Sequence, residues 1–167
     1  MQLSHYNSTF KKQEHQITLV CDNISNAPNV GSLLRLADAF AIENLIFCGE
    51  NVSLGKRMKK TSRSTENYVN HAIKADINEV IQSLKEKDYH CIGLEITNNS
   101  TDLRYYKLNT DTPIALVLGH ESLGISENVL KLMDAVVHIN MYGNNSSMNV
   151  VQAASITLYE LTKQLNS

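Results

Sequence analysis

Five consecutive residues, Ile114-Ala-Leu-Val-Leu118, are apolar without interruption. A strand with one wet face alternates apolar and polar positions, so an unbroken run marks a strand covered on both faces. Strands of that kind belong to parallel sheets with helices above and below. Similar short runs stand at Ile17–Cys21, Leu45–Cys48, Tyr89–Ile96 and Ala135–Ile139, with a weaker one at Tyr68–Ile73. Helical stripes separate them. Val30, Leu33, Leu34, Ala37 and Ala41 fall on one face of a helix that Pro28 can start. Ile77, Val80, Ile81 and Leu84 form a second stripe, and Ser126 suits the cap of a short helix to Met133. Val151, Ala154, Leu158, Leu161 and Leu165 line a last helix expected to start near Ser147. The fold class is α/β, a mostly parallel sheet with helices on both faces, and 167 residues suit one domain spanning 1–167.

Open α/β sheets bind ligands outside the carboxyl ends of their strands. Three loops rich in Gly, Asn or Ser qualify: Glu95–Ser100, Gly119–Gly124 and Asn140–Ser147. Adjacent strands would gather them into one pocket. Familiar phosphate loops are absent. Gly49 and Gly55 are spaced one residue too far for a P-loop, Lys56 is followed by Arg57, and no G-x-G-x-x-G follows a strand. No nucleophile-elbow motif carries a Ser-His-Asp set, and the six histidines lack metal-ligand spacing, so no metal is expected. Cys21, Cys48 and Cys91 sit in apolar stretches and read as buried, reduced thiols of a cytoplasmic protein. No apolar run approaches the ~18 residues of a membrane span, and the polar amino terminus has no signal-peptide core.

Net charge is −2, which by itself points to no nucleic-acid partner. The charge is uneven, however: Lys56, Arg57, Lys59, Lys60 and Arg63 place five of fifteen basic residues in eight positions. Such a run is either a solvated loop or, beside an active site, a patch for RNA phosphates.

Three segments carry the candidate chemistry. In Asn29-Val-Gly-Ser-Leu-Leu-Arg35, the missing side chain of Gly31 leaves room on one helix face beside Arg35, which could equally pair with Asp38. In Leu118-Gly-His-Glu-Ser-Leu-Gly124, two glycines permit close backbone approach around Glu121, a carboxylate that orients a neighbour or merely faces solvent. In Ile139-Asn-Met-Tyr-Gly-Asn-Asn-Ser-Ser-Met-Asn149, a polar loop runs into a helix whose first amides can meet a ligand.

The ordered set N-x-G-S-x-x-R, L-G-x-E-x-x-G-I and I-x-M-x-G-x-x-x-S-x-N-V resembles the three motifs of the SpoU/TrmH family of RNA 2′-O-ribose methyltransferases, within the SPOUT superfamily. The likeness runs from about Ile17 to Leu165. It implies a carboxyl-terminal part threaded into a deep trefoil knot, against the general rule for chain threading. It implies a homodimer, with an arginine of one subunit acting at the cofactor pocket of the other. It implies S-adenosylmethionine as methyl donor, contacted by Leu94, Glu95, Thr97, Gly119, Ile139, Met141, Ser147 and Met148, largely through backbone. Arg35, Asn29, Glu121, Ser147 and Asn149 match the family's functional positions. Three departures stand out: Asn140 where the family usually has Pro, Met148 where it has Leu, and Ala41 where it commonly has Gly.

The implied reaction is attack of a ribose 2′-oxygen on a sulfonium methyl. Arginine rarely gives up its proton, so Arg35 is expected to stabilise developing alkoxide charge, with Asn29 and Glu121 fixing its geometry. The substrate expected is RNA, tRNA before rRNA. The competing expectations are a non-catalytic RNA-binding protein on the same scaffold and an α/β protein for another nucleotide.

Overall fold

The computed structural model describes residues 13–52 and 54–166; the polar stretch 1–12, and with it most of the signal-peptide reading, lies outside the described residues. In chain order the elements are β1 His15–Asp22, α1 Ala27–Ala39, β2 Ile42–Cys48, α2 Lys56–Ser62, β3 His71–Lys74, α3 Ile77–Lys85, β4 His90–Leu94, β5 Thr101–Asp102, β6 Ile114–Leu118, α4 Glu127–Leu130, β7 Ala135–His138 and α5 Val150–Leu165. All seven strands join one sheet in the order β3-β2-β1-β6-β4-β7-β5, and every described pair is parallel.

The unbroken apolar runs are explained by two cores. Ile114, Leu116 and Leu118 of β6 join Ile17, Leu19 and Cys21 of β1 under α1 and α5. The alternate residues Ala115, Val117 and Val20 face the opposite way, against Ile77, Val80, Ile81 and Leu84 of α3 and Val129 of α4. Each fully buried Leu, Ile or Val in these layers contributes about 1.5–3 kcal/mol relative to exposure, so neither face of the central strands tolerates a polar residue without a partner.

Helix α1 is capped by Asn26, whose side chain accepts from the Asn29 amide at 3.3 Å, with Pro28 in its first turn. It stops at Ala39, two residues short of the stripe's expected end. Ala41 instead adopts φ +49°, its amide returning to the Asp38 carbonyl at 3.1 Å, and turns the chain into β2. A left-handed backbone favours glycine, which accounts for the family's preference at this position.

Three sequence expectations are corrected. The basic stretch is a helix, not a loop: Met58 and Ser62, one turn apart, are fully buried, while Lys56, Arg57, Lys59, Lys60 and Arg63 are exposed. Two buried positions are too few to read as a stripe. Gly31 does not make room for Arg35; a Cβ there would lie 2.5 Å from the Met58 carbonyl oxygen and 2.9 Å from the Ser62 nitrogen. Its bare backbone is what lets α2 pack on α1. The last helix begins at Val150 rather than near Ser147, because Asn149 takes the cap by accepting from the Val151 amide at 2.9 Å. The two-residue β5 gave no sequence signal.

Candidate active site

Strand order decides where the three candidate ligand loops go. Strands β6, β4 and β7 are neighbours and parallel, so the loops after Leu118, Leu94 and His138 leave the same edge of the sheet side by side. Together with the start of α5 they enclose a cleft of about 1070 Å³. All eight residues expected around the methyl donor line it: Leu94, Glu95, Thr97, Gly119, Ile139, Met141, Ser147 and Met148, with Glu121 and Asn149 beside them. Ser147 is exposed and lies two residues ahead of the helix cap.

The motif-two loop is closed by paired hydrogen bonds between His120 and Gly124, at 3.0 and 2.8 Å. Gly119 has to be glycine for that closure, since a Cβ would sit 2.3 Å from the Gly124 carbonyl carbon. Gly124 has φ +66°, and a Cβ on it would strike the Glu95 carboxylate at 2.3 Å. Glu95 therefore acts as a brace. One carboxylate oxygen accepts from the Ile96 amide at 2.9 Å and the other from the Ile125 amide at 3.0 Å, which ties the loop after β4 to the loop after β6.

Side chains link the motifs in a second way. The Asn29 amide group donates to Glu121 Oε1 at 2.7 Å and accepts from Asn149 Nδ2 at 3.1 Å. Residues 92 and 120 positions away in sequence thus meet on Asn29. Arg35 does not join them. It is exposed on α1, makes no ion pair with Asp38 among the described residues, and is not among the residues lining the cleft.

Two histidines line the cleft that the sequence did not single out. His120 Nδ1 accepts from the Ser122 and Leu123 amides at 3.0 and 3.2 Å. His138 Nδ1 meets Ser100 Oγ at 2.9 Å and its Nε2 lies 3.3 Å from Asn140 Oδ1. Asn140 in turn donates to Asp102 at 2.5 Å, the carboxylate that Arg104 pairs with and holds at about 2. Asn140, one of the family departures, thus ties the exit of β7 to β5. No cue but its neighbourhood to a strand end would have revealed this.

The three cysteines are buried and unpaired. Burial pushes the Cys48 thiol up to about 12 and the Cys91 thiol to about 11, so neither is a thiolate near neutral pH. Among the described residues no group of three or more His, Cys, Asp or Glu side chains could hold a metal ion, and no helix is long and apolar enough to cross a membrane.

Known proteins share this fold. Residues 16–159 match the SpoU rRNA Methylase family. A protein of Staphylococcus saprophyticus named as a TrmH family tRNA/rRNA methyltransferase is 30% identical over 149 residues, covering 89% of this chain and 59% of its own. The chain therefore spans about six tenths of that relative's length. An AdoMet-bound rRNA methyltransferase from Sinorhizobium meliloti superposes with TM-score 0.84 at 21% identity, over 93% of this chain and 59% of the other. A protein whose structure is described as giving insights into the 2-OH methylation of C/U34 on tRNA superposes with TM-score 0.80 at 21% identity, over 91% of this chain and 97% of the other. With three ordered motifs in its sequence and a family match over most of its length, the chain belongs to the SpoU rRNA Methylase family, among the SpoU/TrmH methyltransferases of the SPOUT superfamily.

Proposed function

We propose that this chain is a single-domain, S-adenosylmethionine-dependent RNA methyltransferase that modifies a ribose 2′-hydroxyl, with tRNA as its substrate. The observation that carries the reading is that motifs two and three line one cleft, and that Asn29 of motif one hydrogen-bonds to Glu121 and Asn149 of that lining. The cleft suits the donor. Leu94, Ile139 and Met148 offer apolar walls for a flat ring, while the loops and the start of α5 offer peptide groups for its polar parts. When bound, S-adenosylmethionine supplies an electrophilic methyl group, which leaves the protein mainly a positioning task.

On this reading Glu121, Asn29 and Asn149 fix the mouth of the cleft, and Ser147 and Met148 hold its floor. Arg35 serves the pocket of a second subunit, where its guanidinium stabilises charge developing on the acceptor oxygen. Its exposure and lack of an ion pair among the described residues support that placement. Exposed Ile156 and Tyr159 on α5 suit burial in a homodimer. The basic face of α2 grips RNA phosphates. Threading of the chain fits the order β4-β7-β5, because the link at residues 95–100 joins two strands that flank β7. The protein works in the cytoplasm. An rRNA substrate is the second reading, favoured by the family description and by the Sinorhizobium neighbour.

Calorimetry with S-adenosylmethionine, followed by labelled methyl transfer to total tRNA and to rRNA, tests the proposal. Saturable binding and label in tRNA are expected. Absence of cofactor binding favours a non-catalytic RNA-binding protein, and label confined to rRNA moves the substrate.

A further inference from the structure

A second cleft, of about 370 Å³, opens at the carboxyl ends of β1 and β2 and shares His120, Leu123 and Gly124 with the larger one. Its size is at the small end of ligand pockets, which run roughly 300–1,000 Å³. Asp22 forms one wall and is only 7% exposed. One of its oxygens accepts from Asn23 Nδ2 at 2.8 Å. Among the described residues the other oxygen has no hydrogen-bond donor. Gly49, at φ +115°, gives the Asn23 side chain its room, since a Cβ there would lie 2.4 Å from Asn23 Oδ1.

His120 supplies the complementary hydrogen-bonding role. Its Nδ1 is taken by two loop amides, so its ring proton sits on Nε2 and that nitrogen is a donor. Asn51 adds an amide with both a donor and an acceptor, and Leu123, 83% exposed, stands at the rim common to both clefts. An acceptor, a donor and an apolar lip suit the edge and face of a flat heteroaromatic ring. The Asp22 carboxylate disfavours a phosphate or another anion. Beyond Asn51 the chain runs into α2, whose exposed Lys56, Arg57, Lys59 and Lys60 suit the phosphates on either side of such a ring.

We propose that this smaller cleft receives the unpaired base of the RNA nucleotide whose ribose reaches the larger cleft, with Asp22 accepting from an amino group of that base. The inference deepens the RNA methyl-transfer reading and rests on it. Carboxylates accept from exocyclic amino groups, as in recognition of cytosine, so the pocket takes cytosine, adenine or guanine in preference to uracil. Burial raises the Asp22 carboxyl, opposed by the Asn23 hydrogen bond and by His120; an amino donor meeting the unpaired oxygen favours its charged form.

The experiment titrates the full chain with millimolar CMP, AMP, GMP and UMP in separate runs, following the backbone amides of Gly49, Asn51 and Gly124 by NMR. We expect those amides to move with at least one amino-bearing nucleotide, with UMP about tenfold weaker, a gap of one good hydrogen-bonded contact. Asp22→Ala, which removes the acceptor, abolishes that gap, and in methyl transfer it raises KM for RNA more than it lowers kcat; Asn51→Ala gives the second, independent variant. Amides that stay still with all four nucleotides, or a UMP gap that survives Asp22→Ala, overturn the inference. Nucleotide binding without methyl transfer to any RNA keeps the pocket and instead removes the methyl-transfer reading.

Discussion

Asn149 donates to Asn29 at 3.1 Å, and the direction of that bond is forced. The Val151 amide can only donate, so Asn149 must turn Oδ1 toward it and Nδ2 toward Asn29. Asn29 then receives on Oδ1 and offers Nδ2 to Glu121, which can only accept when ionised. Helix cap, motif one and motif two thus form a relay of one polarity.

Asn149→Asp tests that polarity. Aspartate caps a helix as well as asparagine does, so thermal stability should stay within about 0.5 kcal/mol of the parent, in line with an ordinary exposed substitution. The relay is broken, because oxygen would face the Asn29 oxygen. Initial rates of labelled methyl transfer should fall at least tenfold. Asn149→Ala should lose the cap as well, about 1 kcal/mol in a denaturant melt.

Glu121→Gln should be mild, since the glutamine oxygen still accepts from Asn29. Glu121→Ala leaves the Asn29 donor without its partner and should cost rate far more. Equal rates for the two variants in the same transfer assay would contradict an accepting role for Glu121.

Gly31→Ala should destabilise by about 1–3 kcal/mol, the usual range for overpacking. The atoms it would strike belong to the backbone of α2, so α2 must move with its basic face. Urea unfolding gives the stability, and RNA affinity across a salt series should weaken alongside it. Ala41→Gly should act the other way, stabilising by about 1 kcal/mol because φ +49° strains a residue with a Cβ.

The legible part of the fold was the part written in runs. Uninterrupted strands such as Ile114–Leu118 implied cover on both faces, and both cores exist. The loops of the site were legible because their strands are neighbours. Contacts between distant polar residues were not. Nothing in the spacing of Asn29, Glu121 and Asn149 says that one amide bridges the other two. Helix α2 was hidden because only Met58 and Ser62 face inward, and Gly31 was misread because its neighbour is another helix's backbone. Asp22 escaped notice as the last residue of a strand, although a carboxylate ending an apolar run marks a place where the chain needs one.

Asp22 also gives a pH dependence. Its carboxyl holds its proton more tightly in the folded chain than at the ordinary value of 3.8, chiefly through burial. The folded state is therefore the proton-richer one between 3.8 and its raised value, and stability falls as pH rises through that window. Asp22→Asn removes this loss. Thermal melts should show the variant more stable than the parent near neutral pH, with the difference closing at acid pH where both side chains are neutral.

The most direct test of the central claim is the chemical position of the transferred methyl. RNA labelled by the wild-type chain from methyl-labelled S-adenosylmethionine is hydrolysed in alkali, which cleaves next to every free 2′-hydroxyl. The account expects the label in an alkali-resistant dinucleotide, absent when Asn149→Asp replaces the parent. Label recovered in mononucleotides, on a base, would contradict it.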